Sequence, residues 1–189
     1  MKRIPFLLLL LLCLLPSCLI QVGGIHTSYS YLTDGQKKHV VPTSLPIDSL
    51  RFDGNIYVVG IEQVKDFIAA HDTAEVFFWN AGCGLTCMVP SMMEEVAAAH
   101  GSAPCILLDE FDWMRMPSVG TIRTPLLFID VRRYGTDRQS KYLPAIKKDL
   151  SGLPDWDSAA DSLMLEVGRS LLFRCGQFVP FAERERFVP

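Results

Sequence analysis

Phe78-Trp79-Asn80-Ala81-Gly82-Cys83-Gly84-Leu85-Thr86-Cys87 is the stretch that decides how this chain is read. Two cysteines four apart follow the apolar run Val76-Phe77-Phe78-Trp79. They precede Val89, Met92, Met93, Val96 and Ala97, which fall on one helical stripe. A strand that hands a cysteine to a helix N-terminus makes a thiol reactive. The unsatisfied N–H groups of the first turn favour thiolate over thiol. A second cysteine within reach then resolves a mixed disulfide. Gly82 and Gly84 open the backbone around Cys83, where a closed core would carry side chains. The plain alternative is a pair of buried cysteines in a core helix.

Around this stretch the apolar pattern is regular. Ile56-Tyr57-Val58-Val59 reads as a strand, and Ile61, Val64, Phe67 and Ile68 follow at helical spacing. Val76–Trp79, Ile106–Leu108 and Leu126–Ile129 are apolar at consecutive positions, as in strands covered on both faces. Leu143, Ile146 and Leu150 give a weaker helix over 141–150. Beyond Pro154, the residues Trp156, Ala160, Leu163, Met164, Val167 and Leu171 predict another. Leu171–Val179 forms a hairpin around Cys175-Gly176, and Glu183–Arg186 reads as a solvated end. Alternating buried strands and helices predict an α/β sandwich on a mixed sheet. Residues 19–50 carry no sustained period and read as a tether, with extended backbone at His39–Val41.

The N-terminus is a targeting segment rather than part of the fold. Lys2 and Arg3 precede the apolar run Phe6–Leu15, and Leu15-Pro16-Ser17-Cys18 resembles the lipobox of bacterial lipoproteins, departing from it at Pro16. The resemblance implies that residues 1–17 are removed and that Cys18 is lipidated. The remainder is then membrane-tethered in the cell envelope, facing the periplasm or exterior, where disulfides persist. An uncleaved anchor over Ile4–Ile20 is the alternative, although a span needs about 20 apolar residues. The net charge of −3 and the absence of a basic stripe argue against a nucleic-acid partner. With Cys13 in the signal and Cys18 lipidated, Cys83, Cys87, Cys105 and Cys175 remain. Cys83–Cys87 is the obvious pair; a Cys105–Cys175 disulfide is left open.

From Ile56 to Ile129 the chain resembles the thioredoxin-like family. Phe78-Trp79-Asn80-Ala81-Gly82-Cys83-Gly84 is similar to its strand-to-active-site signature. Val119-Gly120-Thr121-Ile122-Arg123-Thr124-Pro125 is similar to the loop that places a cis-proline opposite the disulfide. The resemblance implies a three-layer sandwich with a central mixed β-sheet over 51–150. It is preceded by the anchor and tether at 18–50, and 151–189 adds a C-terminal helix and a hairpin that packs on the domain or completes it. It implies thiol-disulfide exchange with protein thiols or disulfides. Cys83 attacks, Cys87 resolves, Trp79 shapes the site, and Thr124 with a cis Pro125 docks substrate as an extended strand. No dissociable cofactor or metal is needed.

This chain departs from the family in three ways. Three residues separate the cysteines instead of two, and residues four apart in a helix hold their Cβ atoms about 5–6 Å apart, beyond disulfide reach. Cys83 therefore sits off the helix. Phe77 stands where relatives carry a buried acid; Glu75 lies two residues earlier on the same face, while Glu94 and Glu95 read as solvent-facing. The family's final hairpin is weakly marked after Ile129. Two other functions remain open. One is a non-catalytic binding module with a structural disulfide. The other is Cu(I) handling by the thiolates, with Met88, Met92 and Met93 nearby. The sequence leaves the oligomeric state open.

Overall fold

The computed structural model describes residues 27–80, 88–111, 119–156, 160 and 170–186. Seven strands form one sheet: β1 (Val40–Pro42), β2 (Ile56–Val59), β3 (Thr73–Trp79), β4 (Ala103–Leu108), β5 (Leu126–Ile129), β6 (Ser170–Arg174) and β7 (Gln177–Phe178). Their order is β1-β2-β5-β4-β3-β6-β7. The first five are parallel, and β6 and β7 join antiparallel. The helices are α1 (Asp34–Lys37), α2 (Ile61–Ala70), α3 (Pro90–Ala99) and α4 (Gln139–Ser151). The α/β class and the mixed sheet expected from the sequence are present.

Side chains alternate across a strand, so β3 assigns the layers. Phe78 faces Lys147 of α4, while Glu75 faces His100 and Ser102 just beyond α3. Helices α2 and α4 pack together on one face and α3 covers the other. Burial of β3 from Ala74 to Trp79 is complete because both faces are covered. α3 starts with Pro90 at its first position, where the missing N–H costs nothing. α4 stops at Gly152, whose φ of 69° suits glycine.

The sheet reaches beyond the 51–150 core on both sides. β1 comes from the tether, and β6–β7 is the hairpin expected at Leu171–Val179, now seen to complete the sheet against β3. Cys175 and Gly176 turn it with φ of 50° and 78°, the positive values that a two-residue hairpin turn requires. The helix expected beyond Pro154 falls largely on residues outside the described set, and its last expected member, Leu171, belongs to β6.

Several local expectations are corrected. No cis peptide bond occurs among the described residues, so Thr124–Pro125 is trans. Most X-Pro bonds are trans, and internal hydrogen bonds hold this loop in place. Met92, placed on the buried stripe of α3, is exposed, whereas Met93 and Ala97 are buried. Arg184, read as part of a solvated end, is buried. Cys105 and Cys175 are unpaired: Cys105 lies inside the sheet and Cys175 is exposed at the hairpin turn.

Candidate functional site

Trp79 is the last residue of β3 and is buried. Cys83 and Cys87 follow it and lie outside the described residues, as does any contact they make. The described chain resumes at Met88 and Val89 in non-helical backbone, and α3 starts at Pro90. In the sequence these two residues stand between Cys87 and the first residue of α3.

The carboxyl end of β3 brings together residues that sequence reading did not single out. Asp109 N donates to Trp79 O at 3.0 Å, which sets Asp109 beside the Trp79–Asn80 peptide. Asp109 is buried, and the Tyr142 hydroxyl of α4 donates to its carbonyl. Burial, with the charge of Asp109, pushes the Tyr142 phenol well above its ordinary value, so it stays a neutral donor. Asn80 Oδ1 is buried and accepts no hydrogen bond among the described residues. The amino-terminal segment lies at this end too, with Phe111 N donating to Thr27 O at 2.9 Å. No local pattern marks Asp109. It follows an apolar run and reads as a strand end.

Glu75 sits lower on β3, on the opposite face from Phe78, and is 1% exposed. It accepts from Ser170 Oγ at 2.6 Å, Ser102 Oγ at 3.1 Å and His100 Nδ1 at 3.0 Å. Because a carboxylate only accepts, these contacts place a proton on His100 Nδ1. Arg184 Nη2 donates to Ser170 O at 2.7 Å and Nη1 to Ser170 Oγ at 3.2 Å. Burial lowers the Arg184 pKa to about 10 while the Glu75 charge pulls it back up; at neutral pH it stays cationic. Four residues of strand, about 13 Å, separate Glu75 from Trp79. This network ties the C-terminal segment to β3.

Thr124 and Pro125 stand at the other end of the sheet from Trp79. Leu126 pairs with Ile106, which pairs with Phe77, so Pro125 enters β5 two strands away and below the level of Phe77. Its loop is tied internally. Glu94 Oε1 accepts from Arg123 N at 2.9 Å, Thr124 N at 2.7 Å and Thr124 Oγ1 at 2.6 Å. Phe52 N donates to Arg123 O at 3.2 Å. Glu94, expected to face solvent, is thus the anchor of this loop; only its long-range contacts reveal it.

Burial, with the charge of Asp48, pushes the Cys105 thiol well above its ordinary value, which makes it inert. Among the described residues no group of three or more His, Cys, Asp or Glu is arranged to hold a metal ion. No described helix is long and apolar enough to cross a membrane. In comparisons with protein-family models, curated proteins and solved structures, nothing matches this chain.

Proposed function

We propose that this chain is a membrane-tethered, extracytoplasmic thiol-disulfide oxidoreductase of thioredoxin-like type, anchored through lipid at Cys18. One observation carries the reading. β3, flanked by parallel β4 and the antiparallel β6–β7 hairpin, ends at Trp79 just before the Cys83–Cys87 segment, and α3 begins just after it. Strand, paired cysteines, helix and closing hairpin stand in the order that the family resemblance requires.

In the proposed reaction the Cys83 thiolate attacks one sulfur of a protein disulfide, breaking the S–S bond and releasing one substrate thiolate. The Cys87 thiolate then attacks Cys83 Sγ in the mixed disulfide and releases the second. Two electrons pass to the substrate and the Cys83–Cys87 disulfide remains; the reverse sequence oxidises a dithiol. Asp109, buried beside the Trp79–Asn80 peptide, takes the proton from Cys87 in place of the acid that Phe77 lacks.

Disulfide reduction assayed on insulin tests the scheme. Cys83→Ser abolishes turnover, Cys87→Ser accumulates mixed disulfide, and Asp109→Asn slows resolution without slowing mixed-disulfide formation. Unchanged turnover in Cys83→Ser removes the proposal.

The Arg123–Thr124 loop favours a second reading. Its backbone groups are engaged by Glu94 and Phe52, so it does not offer them to a substrate strand in the way docking at Thr124 and Pro125 requires. A non-catalytic binding module fits that closure. It predicts partner capture that survives both cysteine substitutions.

A further inference from the structure

We propose that the cavity at the amino ends of β4 and β5 binds a small organic oxyanion, a carboxylate or phosphate carried on a short apolar body. The cavity is about 350 Å³, at the small end of the range for ligand sites. Ile47, Phe67, Pro104 and Pro125 give it apolar walls, and Arg51 and Arg123 are also among its lining residues. The hydrogen bond from Phe52 N to Arg123 O at 3.2 Å holds the two arginine-bearing segments side by side.

The Arg51 guanidinium is held in place, and Arg123 lines the same cavity. Arg51 Nη1 donates to the carbonyls of Asp48 at 2.8 Å and Leu50 at 2.6 Å, which orients the group. A guanidinium carries five N–H donors, so the remaining edge is available to an oxyanion. Glu94 fixes the Arg123 backbone through the amide nitrogens on either side of the Arg123–Thr124 peptide. Neither arginine forms an ion pair with a carboxylate among the described residues.

The one carboxylate of the lining, Asp48, lies against His71. Asp48 Oδ1 lies 3.4 Å from His71 Nε2, and His71 Nδ1 donates to Phe67 O at 2.8 Å. The His71 ring also lies on Phe67, with centroids 4.4 Å apart, so the imidazole is held against both Asp48 and the apolar wall. The lining thus carries two positive charges against one negative. A second cavity shares Ile47, Asp48 and Phe67 but adds Asp66 and no lysine or arginine. Of the two, the first is suited to an anion, because one oriented guanidinium with a second on the same lining favours a bidentate oxyanion over a neutral ligand. The inference does not rest on thiol chemistry: the cavity lies at the amino ends of β4 and β5, whereas Cys83 and Cys87 follow the carboxyl end of β3 in the sequence.

Titration of the full chain in detergent micelles with benzoate and with phenyl phosphate tests the site, followed by NMR shifts of Phe67 and His71. Saturation by benzoate identifies a carboxylate ligand; saturation by phenyl phosphate alone identifies a phosphate. Benzyl alcohol is the neutral control and binds at least about tenfold more weakly. Arg123→Gln, an exposed side chain whose backbone bonds are untouched, weakens the charged probe by about tenfold. Arg51→Gln acts in the same direction. Saturation by neither charged probe, equal binding of benzyl alcohol, or unchanged affinity in Arg123→Gln overturns the proposal.

Discussion

On one face of β3, Glu75 accepts hydrogen bonds from Ser170, Ser102 and His100; on the other, Lys147 of α4 lies over the rings of Phe78 and Trp156 at 5.4 and 5.5 Å. Both charged residues are buried. A carboxylate offers only acceptor sites and loses its hydration unless donors reach it in fixed directions. An ammonium on a long stem is less demanding. The stem packs as hydrocarbon, and aromatic faces add to what stabilises the head. The carboxylate face is therefore the more exacting one, and it also holds the C-terminal segment through Ser170 and Arg184.

The largest expected effect follows from this. Glu75→Ala removes the buried acceptor shared by Ser170 Oγ, Ser102 Oγ and His100 Nδ1 and the negative charge near buried Arg184, and costs about 3–5 kcal/mol of stability, the usual scale for removing one partner of a buried charged network. Glu75→Gln keeps the volume and one acceptor and costs about 1–2 kcal/mol. Chemical denaturation measures both. If Glu75→Ala costs less than about 1 kcal/mol, the network is ornamental and the contrast between the faces collapses.

Glu94 sharpens the comparison from the same side of the sheet. It also receives three donors, but the site is only part-buried. Water can reach the orphaned groups, so Glu94→Ala costs about 1–2 kcal/mol and loosens the Arg123–Thr124 loop. Faster amide exchange at Thr124 than in the wild type is the specific readout. An unchanged rate there means that Glu94 does not hold the loop.

The contrast between faces then sets the expectation for Lys147. Lys147→Met keeps the apolar stem against Phe78 and Trp156 and removes a charge that is costly to desolvate, so it costs less stability than Glu75→Ala. A loss as large as that of Glu75→Ala would show that both faces hold their charges in the same way.

These side chains also show what the sequence discloses and where it stops. Ile56–Val59, Leu126–Ile129 and the Cys175-Gly176 turn are legible because apolar runs and turn residues act locally. The order of the strands is not local. Pro125 precedes an apolar strand just as the resemblance asks, yet β4 also carries a proline near its start, Pro104. A proline at a strand entrance is therefore a steric convenience here and does not identify the strand's place in the sheet. Glu94 and Arg184 lie in polar sequence and are recruited by backbone groups 30 and 14 residues away in the chain. Of the candidate site, the strand, Trp79 and the start of the helix were legible. Asp109 was not, because its burial depends on Tyr142 of α4.

Asp130 gives the smallest effect and the reference point at the protein surface. Its hydrogen bond from the Arg132 side chain, at 2.8 Å from Nε to Oδ1, lowers the carboxyl pKa below its ordinary 3.8 despite partial burial. A depressed folded-state pKa means that the unfolded chain takes up the proton first as pH falls. The stabilising contribution is thus complete above about pH 4. It vanishes as pH drops through the folded value. Asp130→Asn keeps an acceptor for Arg132 N and removes only the charge, so its denaturation curve lies slightly below the wild type at pH 6 and meets it once the pH has fallen below the folded-state value. Solvent reaches both partners, so added salt closes the gap at pH 6 as well. The cost of Glu75→Ala should persist in the same salt, because its partners are sequestered from water. If salt erased both differences equally, burial would not distinguish the two carboxylates.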